Sequence, residues 1–240
     1  MKVIVCDNYE KMSYEAARIF AAQLIIKPKS VLGLATGSTP IGLYDCLAKM
    51  YKDGEIDFSQ VTTFNLDEYY PISHDNDQSY HYFMNENLFS KVNVPADKIH
   101  IPDGSTDDPE KECKSYEEKI DAHNGIDIQI LGIGQNGHIG FNEPAPVLNP
   151  ETHVTDLTQN TIEANSRFFD SIDLVPTKAL TMGIGSIMKA KKILLLASGS
   201  GKKEIVKKLL SGGIETNIPA SMLKAHPDVT LICDKEAFED

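Results

Sequence analysis

Nowhere in the 240 residues is there a run of about 18 consecutive apolar side chains, the length a helix needs to cross a bilayer. The opening MKVIVCDNYEK holds too short an apolar run for a secretory signal. Cysteine is scarce and scattered: Cys6, Cys46, Cys113 and Cys233 form no Cys-x-x-Cys pair, and no His-x-x-x-His spacing accompanies them. A structural zinc is therefore not expected, and reduced cysteines in a cytoplasmic protein are. Basic residues are outnumbered, 23 against 35 acidic, for a formal net charge of -12. That balance argues against nucleic acid or an anionic membrane as partner, so an anionic ligand would need a local arrangement able to overcome the global field. Repeats, low-complexity tracts and interdomain linkers are also missing, and 41% hydrophobic content suffices for the core of a single domain over 1–240.

What is present is an alternation. Short aliphatic runs recur at VIV (3–5), VLGLA (31–35), VTTFNL (61–66), IDIQILGI (126–133), ALTMGI (179–184), KILLLA (192–197) and VTLICD (229–234). Between most of them lie segments of helical periodicity: YEAARIFAAQLI, IGLYDCLAKMY, SYHYFMNENLF, EKECKSYEEKIDAH and KEIVKKLL. This pattern predicts an α/β fold, an open, mostly parallel, doubly wound Rossmann-like sheet with helices on both faces. Ligands of such sheets bind beyond the carboxyl ends of the strands. The stretch from 143 to about 165 lacks clear periodicity and carries Pro144, Pro146 and Pro150. It reads either as a lid, extending over about 143–170, or as an irregular surface connection.

The segment LGIGQNGHIGFNE (131–143) contains Gly132, Gly134 and Gly137 in the Gly-x-Gly-x-x-Gly spacing of dinucleotide turns. Such a turn needs a helix starting at the motif, because pyrophosphate sits on that helix's free N–H groups. The prolines that follow forbid a normal helix, so a nucleotide is not expected. The stretch offers instead Asn136, His138 and Glu143 close together at a strand end. Histidine moves protons near neutrality and a carboxylate can orient its ring and support the imidazolium. A satisfied His–Glu pair in a tight turn is the other reading.

After VLGLA comes Thr36-Gly37-Ser38-Thr39-Pro40 and then a helical pattern. Thr39 as N-cap and Pro40 at the first helical position would gather hydroxyls and free N–H groups where the helix dipole favours an anion. The Gly-Lys-Ser/Thr ending of a nucleoside-triphosphate loop is absent, leaving a phosphate cradle or simply a capped helix. SGSGKK (198–203) follows KILLLA in the same manner with Lys202, and Arg167 is a further candidate charge. In TFNLDEYYP, Asp67 and Glu68 follow a strand; one carboxylate in a partly desolvated pocket could be a general base while its neighbour points elsewhere, or both could be solvated.

TGSTP, TFNLDEYYP, GIGQNGHIGFNEP, ANSRFF and SGSGKK, in this order and across nearly the whole chain, closely resemble the glucosamine-6-phosphate deaminases. The resemblance implies reversible conversion of glucosamine 6-phosphate and water to fructose 6-phosphate and ammonia, with neither metal nor redox cofactor. Carried over by motif, Asp67 takes the proton from C2 of the open-chain sugar. His138 opens the pyranose ring, assisted by Glu143 and Asn136, and Gly37, Ser38, Thr39, Arg167 and Lys202 hold the 6-phosphate.

Two departures qualify it. Some relatives carry Asp where this chain has Asn136, so Glu143 is expected to bear more of the charge opposite the imidazolium. Relatives activated by N-acetylglucosamine 6-phosphate have basic residues shortly after the Glu-Pro pair, whereas NPETHVTDL offers only His153. Weak or absent activation is expected. The short tail after VTLICD, compared with some hexameric relatives, implies a monomer. The rival readings are a 6-phosphogluconolactonase, whose motifs differ from IGFNEP and Asp67-Glu68-Tyr69, and a non-catalytic sugar-phosphate sensor, for which no helix-turn-helix extension is evident.

Overall fold

The computed structural model describes residues 1–158, 162–163, 171 and 175–238. The aliphatic runs become the strands β1 (Lys2–Cys6), β2 (Val31–Leu34), β3 (Thr62–Asn65), β6 (Ile128–Gly132), β9 (Ile193–Ala197) and β10 (Val229–Asp234), joined by a short β5 (Ile99–His100). Among the described residues these pair in the order β1-β10-β9-β6-β2-β3-β5, every neighbour parallel. Strands β2, β9 and β10 are buried along their whole length, which is why they read as continuous apolar runs rather than alternating ones.

The helices are α1 (Tyr9–Ile26), α2 (Ile41–Lys52), α3 (Tyr80–Asn87), α4 (Pro109–Ala122), α5 (Ile184–Met188), α6 (Lys203–Ser211) and α7 (Lys235–Phe238). Polar caps open three of them: Asn8 Oδ1 accepts from Lys11 N, Ser79 Oγ from Tyr82 N, and Asp108 Oδ1, ahead of Pro109, from Lys111 N. Right-handed crossovers place α1 and α2, which lead toward the β5 edge, on one face and α4, α5 and α6, which lead back, on the other. Tyr44, Phe20 and Phe58 on one side and Tyr116 and Phe64 on the other are fully buried between layers. The direction of winding reverses between the neighbours β2 and β6, and a crevice opens at their carboxyl ends.

One segment differs from the expected parallel sheet. ALTMGI supplies β8 (Lys178–Thr181), which lies between β4 (Asp67–Tyr70) and β7 (His153–Asp156) in a separate antiparallel sheet of three strands. A small second core of Tyr69, Ile72, Phe141, Leu157 and Ala179 packs with this sheet. The aperiodic stretch therefore contains a paired strand, while 159–161 and 164–170 lie outside the described residues. No helix among the described residues is long and apolar enough to cross a membrane.

At the opposite end of the strands, buried Asp127 fastens four elements. It accepts from Lys27 Nζ at the end of α1 (2.6 and 2.7 Å), from Lys191 Nζ before β9 (2.7 Å) and from Val31 N at the start of β2 (2.8 Å). Burial alone would raise its pKa, but the hydrogen bonds from Lys191, Lys27 and Val31 outweigh that and hold it below the ordinary value. Asp127→Asn is expected to cost about 2–3 kcal/mol, seen as a lower urea midpoint. Because the folded-state pKa is depressed, this stabilisation is complete above about pH 4 and is lost as pH falls through the lower folded value. A variant equally unstable at low and neutral pH would contradict it.

Candidate active site

Four loops meet at the crevice, and the strand order β9-β6-β2-β3 fixes their sequence: SGSGK, the His138 turn, TGSTP and the approach to Asp67. The loop after β6 is a tight turn in which Gly134 N donates to His138 O (2.9 Å) and Gly137 N to Gly134 O (3.0 Å). The imidazole of His138 lies on Gly134 so closely that any Cβ there would occupy the ring's own space. Gly137 takes φ +90°, in the left-handed region. The glycine spacing thus shapes a bed for a histidine, and no helix follows it.

His138 Nδ1 stands 3.2 Å from Glu143 Oε1, within ion-pair range although out of line for a hydrogen bond. Glu143 Oε2 accepts from Asn136 Nδ2 at 2.6 Å, and Asn136 Oδ1 accepts from the backbone N of His138 at 3.2 Å. Asn136 therefore holds the Glu143 carboxylate, whose other oxygen faces the His138 ring. Buried Asn142 locks the end of the turn by donating to Ile139 O (2.9 Å) and Met182 O (2.8 Å).

Asp67 and Glu68 begin β4 rather than a loop, so their side chains take opposite sides of an extended chain. Glu68 is fully buried and accepts from Tyr69 N (2.9 Å), Tyr80 N (2.8 Å) and His81 N (2.9 Å), the last two at the start of α3. Burial lifts its pKa to about 7 against the pull of those donors. Asp67, 6% exposed, has no such donors among the described residues; burial, and then the charge of Glu68, push its pKa up to about 8. A methyl built on Gly140 would lie 3.6 Å from Asp67 Oδ2, which brings the carboxyl to the turn that carries His138. The rings of Tyr80 and Phe141, nearly parallel at 4° with centroids 6.1 Å apart, tie α3 to the same turn.

Gly37 and Ser38 are exposed and Thr39 half-buried in the loop after β2, with Gly37 at φ +95°. The N-cap is Pro40 rather than Thr39, and no side chain caps the helix. Tyr9 from α1 substitutes: its hydroxyl accepts from Gly42 N (2.8 Å) and reaches the carbonyls of Ser38 (3.1 Å) and Thr39 (3.2 Å). Lys202 is half-buried in the turn after β9, has no ion-pair partner among the described residues, and is shifted down in pKa by burial. An anion beside it would relieve that desolvation. Arg167 lies outside the described residues. Among those described, no group of three or more His, Cys, Asp or Glu could hold a metal ion.

Of the expected site residues, Asn136, His138 and Glu143 meet in one turn that Asp67 borders at Gly140, while the Gly37–Thr39 loop and Lys202 follow the neighbouring strands β2 and β9. Sequence reasoning missed the anchoring role of Glu68 and the strand pairing of Thr181 with Asp67, since neither has a local signature.

An elevated carboxyl pKa has a thermodynamic sign. Between about pH 4, where the unfolded chain loses this proton, and about pH 8, the folded chain binds more protons, so the contribution of Asp67 to stability falls as pH rises. Asp67→Asn is expected to raise the melting temperature at pH 8, by on the order of a few kcal/mol of stability at most, and to change it little at pH 4. Equal melting temperatures at pH 8 would refute the burial assigned to this carboxyl.

The family model described as glucosamine-6-phosphate isomerases/6-phosphogluconolactonase matches residues 9–232. The chain is 60% identical over 237 residues to a glucosamine-6-phosphate deaminase of Halothermothrix orenii, covering 99% of this chain and 98% of that one. It is 56% identical to one of Clostridium perfringens at the same coverage. A solved monomeric glucosamine-6-phosphate deaminase superposes with a TM-score of 0.96 at 49% identity, over 99% of this chain and 98% of the other. The 6-phosphogluconolactonase of Thermotoga maritima, at 24% identity and a TM-score of 0.77 over 98% and 99%, shares the fold. With a family model matching residues 9–232 and a relative 60% identical over nearly its whole length, the chain belongs to the glucosamine-6-phosphate isomerase/6-phosphogluconolactonase family.

Proposed function

We propose that the chain is a glucosamine-6-phosphate deaminase, converting glucosamine 6-phosphate and water reversibly to fructose 6-phosphate and ammonia without a metal or redox cofactor. The observation that carries this reading is the convergence of two proton-transfer groups from different strands at one turn. His138, backed by Glu143, follows β6, and the carboxyl of Asp67 in β4 lies against Gly140 of the same turn.

The division of labour follows from the chemistry. Ring opening needs one group that protonates the ring oxygen and accepts the proton of the anomeric hydroxyl; an imidazole does both near neutrality, and Glu143 supports its cationic form. In the open chain, Asp67 removes the proton from C2 and returns it at C1, leading through an enolamine or enol to the ketose as ammonia leaves C2 and water replaces it. A carboxyl held at about 8 is poised to give the proton back as well as take it. Gly37, Ser38 and Thr39 hold the 6-phosphate from one side and Lys202 from the other, with Arg167 as a further cation. That anchor supplies positioning energy remote from C1 and C2.

A cytoplasmic role in amino-sugar catabolism and a lid over about 143–170 belong to the same proposal. So does a monomeric state, in keeping with the related deaminase described as monomeric. His153, the one basic side chain of NPETHVTDL, has its Nδ1 2.9 Å from the carbonyl of Glu151, which supports weak or absent activation by N-acetylglucosamine 6-phosphate.

Purified protein given glucosamine 6-phosphate and a chelator is expected to release ammonia and fructose 6-phosphate in equal amounts, at a rate that N-acetylglucosamine 6-phosphate leaves unchanged. Silence in that assay together with hydrolysis of 6-phosphogluconolactone would transfer the chain to the other branch of the family. Asp67→Asn should bind substrate yet lose about 10²–10⁴-fold in turnover. His138→Gln should lose most in ring opening; equal slowness on substrate locked in the open-chain form would dissolve the proposed separation of roles.

A further inference from the structure

Thr181 ends β8, directly opposite Asp67 in the antiparallel β4–β8 pair. Side chains so paired share one face, with Cβ atoms about 4.5–5.5 Å apart. Thr181 is fully buried. Its Oγ1 accepts from Phe141 N at 3.1 Å, in the turn that carries His138 and Glu143. The hydroxyl's own proton is less well served: among the described residues its acceptor is Met182 O at 3.5 Å, long for an O–H···O bond. A methyl built on Gly140 would stand 3.0 Å from Thr181 Oγ1 and 3.6 Å from Asp67 Oδ2, so hydroxyl and carboxyl border the same point.

We propose that Thr181 is the positioning residue for Asp67: its hydroxyl donates to the carboxylate while accepting from Phe141 N, holding the base in register with the His138 turn. The inference rests on the deaminase reading. A buried hydroxyl with a poorly placed proton beside a buried carboxyl is completed by an O–H···O bond, charge-assisted whenever the carboxyl is ionised to act as base. The same oxygen then joins two elements that must agree in position, β4 with the base and the turn with the ring-opening group. A misplacement of about 1 Å between such groups costs roughly 10²-fold in rate.

The test compares Thr181→Val, which keeps shape and removes the hydroxyl, with Thr181→Ser, which keeps the hydroxyl. Valine is expected to lower kcat about ten- to hundredfold with KM changed less than about twofold, and serine to recover most of the loss. With 2-deuterated glucosamine 6-phosphate, the primary isotope effect on kcat should be larger in the valine variant than in the unaltered chain, since C–H cleavage becomes the slower step. Near-normal turnover in the valine variant, an equal fall in the serine variant, or a loss confined to KM would each overturn the proposal. If the valine variant does not give a cooperative melt, Thr181→Ala against Thr181→Ser makes the same comparison. An unaltered chain that releases no ammonia or fructose 6-phosphate would overturn the deaminase reading itself, a result distinct from a failure at Thr181.

Discussion

The carboxylate of Glu68, enclosed by three backbone N–H groups, is the constraint on which the site depends. Two of those donors open α3, where free N–H groups and the helix dipole favour a negative charge, so a fully buried acid finds a place it could not otherwise occupy. Fixing Glu68 on one side of β4 sends Asp67 to the other, because consecutive residues of a strand alternate. The pairing also sets the start of α3, and with it Tyr80, whose ring stacks on Phe141 of the His138 turn. One anchored carboxylate thereby orients a second carboxyl, a helix and a loop.

Around that anchor the chain separates rigidity from chemistry. The central strands β2, β9 and β10 are buried along their whole length, and the reversal of winding between β2 and β6 opens a crevice with no need for a domain boundary. Each loop brings one kind of group: hydroxyls and backbone N–H after β2, an imidazole with its carboxylate after β6, a half-buried lysine after β9. On the proposed function, a chain of net charge -12 holds its anionic substrate by local attraction, from a partly desolvated cation and oriented amides.

How much of this could be read from the sequence depended on how local each signal is. VLGLA, KILLLA and VTLICD announce buried parallel strands because a strand covered by helices on both faces is lined mainly by apolar side chains. The prolines after FNE separate the glycine pattern from a nucleotide turn by a purely local rule, and the histidine bed agrees with it. DEYY does not look like a strand: its leading residues are two acids, and what makes it one is antiparallel pairing with ALTMGI more than a hundred residues away. Thr39 resembled an N-cap by residue type, yet a tyrosine from α1 serves the helix start, a contact between segments 30 positions apart. Thr181 gave no sign at all, since its neighbours belong to other elements.

Gly134 carries a genetic consequence. Its problem is volume: the imidazole of His138 fills the place where the first carbon of a side chain would go. Every other amino acid has that carbon, so the smallest replacement is already as disallowed as the largest. Most positions in a crevice offer a graded series of tolerated variants through which specificity can drift. Position 134 offers none, and any lineage that keeps this histidine in this pose must keep the codon for glycine beneath it.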